Sequence, residues 1–99
     1  MAHRVAGEAE VDLDDIWLYV ATESYSMDVA TRLIDGITDR FFVIATFPYA
    51  GRARDPDFGI GTRSFAAGDY VIVYCVEGED VCILRVVHGK RQLEDLFGK

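Results

Sequence analysis

The sequence predicts a single α+β domain of order β-α-α-β-β-β, an antiparallel helical hairpin packed on one face of a small twisted antiparallel sheet. Three observations predict it. Two consecutive stretches carry apolar residues at helical spacing. Two runs rich in Val, Ile and Tyr, Tyr70–Val76 and Val81–His88, flank a four-residue turn. The 99 residues, 51% of them apolar, are enough for one core and no second one. The domain is expected to span residues 1–99.

Residues 2–6, AHRVA, read as a short strand. In the first helix Ala9, Leu13, Ile16, Trp17 and Val20 fall on one stripe, and Glu8, Glu10 and Asp12 sit where the helix dipole favours negative charge. This helix ends near Glu23–Tyr25. Ser26 is the expected N-cap of a second helix with Asp28 in its first turn. Its stripe is Ala30, Leu33, Ile34, Ile37, Phe41, Ile44 and Ala45, and Pro48 stops it. Residues 48–61 contain two Pro and three Gly without periodicity and read as a long loop, a kind that is often functional. A short strand follows near Arg63–Phe65, then a turn through Gly68. The closing hairpin turns at Gly78-Glu79, with Gly at the first central position of a type II′ turn. Residues Gln92–Phe97 read as one short helical turn.

That turn sets a register in which Val76 faces Val81, Cys75 faces Cys82, Tyr74 faces Ile83, Ile72 faces Arg85 and Tyr70 faces Val87. One face then holds Val71, Val73, Cys75, Cys82, Leu84, Val86 and His88. Being small and free of phenols, it is assigned to the core under the helices. The other face holds Tyr70, Ile72, Tyr74, Val76, Val81, Ile83, Arg85 and Val87 and is assigned to solvent or a partner.

The formal charge is −7, a field that repels nucleic acid. Residues 1–40 carry nine acids and three bases, against eight and seven in residues 41–99. No apolar run reaches membrane-span length and no secretory signal is visible, so a cytoplasmic location with reduced thiols is expected. Cys75 and Cys82 read as small buried hydrophobes, not as a redox pair. No Cys or His cluster has zinc spacing, and neither a metal nor another cofactor is expected. No nucleophile has a histidine partner in a recognisable arrangement, and no glycine motif cradles a phosphate.

Four groupings are candidates for function. Arg85 with Tyr70 and Tyr74 has the chemistry to hold a phosphate or carboxylate, or else Arg85 stacks on a ring and covers apolar surface. Arg85, His88, Lys90 and Arg91 form the one basic cluster, either a contact for an acidic partner or a solvated strand end. Asp12, Asp14 and Asp15 point in different directions on a helix and read as an exposed face. Phe41, Phe42, Val43, Ile44 and Phe47 make the second helix apolar nearly all round, which one sheet cannot bury and which marks a protein interface.

The order of elements and several strings together resemble the ParE/RelE toxin superfamily over essentially the whole chain. The first helix, EAEVDLDDIWLYV, is similar to an A-x-x-DL-x-x-I-x-x-Y opening. Pro48, Gly51 and Arg52 supply P-x-x-GR. Arg63 follows, then G-x-Y-x-I-x-Y at Gly68, Tyr70, Ile72 and Tyr74, and ILRVVHGKR at residues 83–91. The resemblance implies a toxin neutralised by a co-expressed antitoxin. RelE-like members are ribosome-dependent mRNA endonucleases, and ParE-like members poison DNA gyrase. Arg91 matches a RelE catalytic arginine. Phe97 stands where RelE has a terminal tyrosine, and Val71 where it has another arginine.

The resemblance therefore implies a ParE-like, non-enzymatic gyrase inhibitor bound by a ParD-like antitoxin of the ribbon-helix-helix type. The complex would be hetero-oligomeric, with no membrane contact and no direct contact with nucleic acid alone. Target contact is expected at Arg63, Tyr70, Tyr74, Arg85, His88, Lys90 and Arg91. Antitoxin contact is expected at Trp17, Phe42, Val43, Phe47 and Arg52. The alternative is a RelE-like ribonuclease using Arg52, Arg54, Arg85, His88 and Arg91. A third reading is a member that keeps only antitoxin binding.

Overall fold

The structure, a computed structural model, describes residues 3–54, 59 and 61–89. Lys90, Arg91, Phe97 and the expected turn at Gln92–Phe97 lie outside the described residues. The element order is β1 (His3–Val5), α1 (Gly7–Ser24), α2 (Met27–Thr46), β2 (Arg52–Ala53), β3 (Thr62–Ala67), β4 (Tyr70–Glu77) and β5 (Asp80–His88). The strands form one five-stranded sheet in the order β1-β5-β4-β3-β2. The helical hairpin packs on one face of the sheet. Two details differ from expectation. The long loop contains the two-residue strand β2, and β1 pairs with β5 in parallel, so the sheet is mixed.

The helices form for the reasons their sequences give. α1 buries the Ala9 stripe, and its first turn holds Glu8 and Glu10 at the positive end of the dipole. It ends at Tyr25, whose left-handed backbone (φ 56°) turns the chain back on itself. Ser26 caps α2 as expected, its Oγ accepting from Val29 N–H at 3.2 Å. The indole N–H of Trp17 donates to Thr31 Oγ1 at 3.1 Å and ties the two helices together. Ile37, Phe41, Ile44 and Ala45 of α2 are buried against the sheet, and Pro48 follows the helix end at Thr46.

The hairpin register holds near its turn and fails farther out. Val76 faces Val81, Cys75 faces Cys82 and Tyr74 faces Ile83. Gly78 has φ 63° while Glu79 does not, the signature of the expected type II′ turn. Between Val73 and Tyr74 the register shifts. Leu84 is left without a partner, and Arg85 faces Val73, Val86 faces Ile72, Val87 faces Val71 and His88 faces Tyr70. This is a β-bulge.

The face assignment is reversed. Tyr70, Ile72, Tyr74, Val81 and Ile83 are buried in the main core beneath the helices, with Val76 packed against them. Val73 and Val87 instead form a second small cluster on the far side, with Val71 and Leu84. Cys75 and Cys82 also lie on that far face, as free thiols. The expectation sent tyrosines outward because a buried phenol needs a partner. Tyr74 has two: its hydroxyl donates to Pro48 O at 2.8 Å and accepts from Gly51 N–H at 3.0 Å. With that satisfied, the large rings fill the space under the hairpin better than valines do. Val86 lies in the core as expected, because the bulge rotates it there.

Candidate functional site

The bulge is held by a residue that the sequence reading placed in solvent. β1 has only three residues, and its ladder ends where Ala6 N–H donates to Ile83 O at 2.9 Å. Past that point the outer edge of β5 has no neighbouring strand among the described residues. The bulge turns Val86 N–H toward this edge, and the Asp12 carboxylate of α1 accepts it at 2.9 Å. The same carboxylate grips Arg85 bidentately: Nε to Oδ2 at 2.7 Å and Nη2 to Oδ1 at 3.0 Å. The hydrogen bond to Asp12 holds the Arg85 guanidinium above its ordinary range, against the opposing effect of burial. Arg85 therefore turns toward α1 instead of standing free on an open sheet face, and Asp12 is not a solvated surface acid. No local sequence signal marks this pair; it joins residues 73 positions apart.

The other expected target residues that lie within the described range, Arg63, Tyr70, Tyr74 and His88, also make contacts inside the domain. Tyr74 is fully buried and Tyr70 nearly so, and burial raises the Tyr70 phenol. These two rings are core, which corrects their placement on a contact face. His88 stands edge-on to Tyr70 with centroids 5.0 Å apart. Arg63 clips the loop after α2: Nε donates to Gly51 O at 2.9 Å, Nη2 to Tyr49 O at 3.2 Å, and the guanidinium lies 5.3 Å from the Tyr49 ring centroid. Arg54 donates to Ser64 Oγ at 2.8 Å, and Arg52 is exposed on β2. Gly51 is obligatory at this crossing, because a Cβ there would come within 2.5 Å of the Tyr74 hydroxyl and 2.6 Å of Ser64 O.

The residues expected to meet an antitoxin divide into two kinds. Trp17 is a strut between the helices. Phe42, Val43 and Phe47 form an exposed apolar patch at the C-terminal end of α2. The cause is the one the sequence suggested: Phe41, Ile44 and Ala45 take the buried side, so their neighbours face out. His3 stacks edge-on against Phe42, with centroids 4.9 Å apart, and extends the patch onto β1. Beside it Thr46, Phe47, Pro48, Tyr49 and Ala50 line an open cavity of about 510 Å³. Large side chains around a concavity, some aromatic, suit protein recognition. Among the described residues no group of three or more His, Cys, Asp or Glu is placed to hold a metal. No described helix is long and apolar enough to cross a membrane.

With this geometry in view, comparison with known proteins gives a consistent picture. The family model for the ParE toxin of type II toxin-antitoxin systems matches residues 4–93. Toxin ParE3 of Caulobacter vibrioides is 34% identical over 88 residues, covering 89% of this chain and 86% of that protein. Toxin ParE1 of the same organism is 33% identical over 86 residues, covering 87% and 86%. A solved chromosomal ParDE system from P. aeruginosa has the same fold, with a TM-score of 0.76 at 20% identity over 91% of this chain and 97% of that one.

Proposed function

The chain belongs to the family of ParE toxins of type II toxin-antitoxin systems, and from that premise we propose that it inhibits DNA gyrase in the cytoplasm and is held inactive by a ParD-like antitoxin of the ribbon-helix-helix type. The match over residues 4–93 carries this reading. The Phe42–Val43–Phe47 patch and its adjoining cavity are the antitoxin surface in this proposal, with Arg52 at the margin. Lys90 and Arg91, with the exposed His88, are the candidates for target contact; Arg63 and Arg85 serve the fold.

A protein inhibitor is favoured over a ribonuclease by the state of Arg85. Its guanidinium is neutralised by Asp12, so it is not poised for the phosphates of a message. The test is supercoiling of relaxed plasmid by gyrase in the presence of the purified chain. Supercoiling should stop, and added antitoxin should restore it. Unimpaired supercoiling together with message cleavage on ribosomes would transfer the protein to the ribonuclease reading.

A further inference from the structure

Cys75 and Cys82 stand directly opposite each other in the β4–β5 ladder. Neither thiol serves the main core. Their chain neighbours Tyr74, Val76, Val81 and Ile83 point under the helices, so both sulfurs lie on the other face of the sheet. Cys82 is 2% exposed, whereas Cys75 is only half-buried. Opposed residues of an antiparallel pair have Cα atoms about 4.5 or 5.5 Å apart. A disulfide spans about 4.4–6.8 Å, so either spacing lies within reach of a bond. A small polar group surrounds the pair. Arg4 of β1 stands opposite Cys82 and donates to Glu77 Oε1 at 3.0 Å, and the Cys75 thiol donates to Glu77 Oε2 at 3.8 Å. On the remaining side β3 faces Cys75 with the uncharged Thr62.

We propose that Cys75 and Cys82 are a redox modification site, closed reversibly to a cross-strand disulfide by small-molecule disulfides such as oxidised glutathione. Cys75, the thiol that solvent reaches, attacks first. Its thiolate displaces one glutathione thiolate, which takes up a proton, and a mixed disulfide is left on Cys75. Cys82 then attacks Cys75 Sγ, and its proton goes to the second glutathione as that departs. Two protein thiols lose two electrons and two protons, and one glutathione disulfide becomes two thiols. Burial, the Glu77 carboxylate and the Cys82 thiol hold the Cys75 thiol above its ordinary value, with Arg4 pulling it down. Attack at neutral pH is therefore slow, and the pair follows a sustained change in thiol–disulfide balance instead of a brief pulse of oxidant. Abundant reduced thiols keep it open. The closed bond pins the turn end of the hairpin that carries Tyr74 and Ile83 into the core, and it restricts the unfolded chain. The site does not depend on what the toxin targets or what neutralises it.

The test incubates the folded full chain with excess oxidised glutathione at several pH values from 7 to 9, and reads intact mass and free thiols. The product should be a monomer lighter by two hydrogens and without free thiol, and dithiothreitol should restore both thiols. The rate should rise about tenfold per pH unit, as the thiolate fraction does below the thiol pKa. Cys82→Ala should stop at one glutathione adduct. Cys75→Ala should stay unmodified, because its remaining thiol is buried. The oxidised chain should melt at a higher temperature than the reduced one. Five results would each overturn the proposal: thiols still free after the incubation, a glutathione adduct that persists on the wild-type chain, a disulfide-linked dimer, Cys75→Ala modified as fast as wild type, or an oxidised chain that melts lower than the reduced one.

Discussion

Replacing Asp12 by alanine tests the most unexpected feature of the fold. The substitution removes three acceptor contacts at once: two to the Arg85 guanidinium and one to Val86 N–H. The Asp12 side chain is 14% exposed and that of Arg85 37%, so the two contributions differ. Arg85 reaches water, and screening limits its ion pair to about 0.5–1 kcal/mol. Val86 N–H sits at a strand edge beneath α1, and leaving it without a partner costs about 1–2 kcal/mol. The sum, about 2 kcal/mol, lowers Tm by roughly 10 °C in a domain this size. Asp12→Asn keeps an amide oxygen for Val86 and should lose only about 1 kcal/mol, whereas Arg85→Met should cost less than Asp12→Ala. Urea melts followed by circular dichroism would rank the three. If Asp12→Asn is as damaging as Asp12→Ala, or if Arg85→Met is the worst of the three, the backbone contact is not what secures the edge and the reasoning fails.

Tyr74→Phe should destabilise by about 2 kcal/mol, since it strands Pro48 O and Gly51 N–H in the loop crossing; a denaturation midpoint within error of wild type would contradict the assigned role. At alkaline pH the sign follows from Cys75 and Tyr70. Burial raises both above their ordinary values of 9.0 and 10.0, so the unfolded chain releases its protons first. Their contribution is intact below pH 9 and is lost as pH climbs through the raised values. Tm measured in steps from pH 7 upward should hold and then fall from about pH 9, and Cys75→Ala should delay the fall; a flat profile beyond pH 10 would contradict this. Phe42→Ser should change stability by less than about 0.5 kcal/mol while weakening co-purified antitoxin about tenfold or more by calorimetry. Unchanged affinity would move the antitoxin surface elsewhere.

The helical hairpin, its Ser26 cap, the stop at Pro48 and the turn at Gly78 were all legible, because each is set by a few neighbouring residues. The outward-facing Phe42, Val43 and Phe47 were legible for a related reason: an α-helix has one buried side, and too many large residues competed for it. Sequence also assigned the family, which depends on the order and spacing of strings and not on which way a sheet faces. What it misassigned shares one cause. Which face of the β4–β5 hairpin meets the helices, where the register slips, and where Arg85 points are all decided by contacts between distant residues. Tyr74 can be buried only because the Pro48–Gly51 crossing completes its hydrogen bonds, and Val86 can face the core only because Asp12 of α1 occupies the edge that the three-residue β1 leaves open. An alternating strand reads equally well with either side inward. The choice belongs to whichever side finds partners for its polar atoms, and those partners come from elsewhere in the chain.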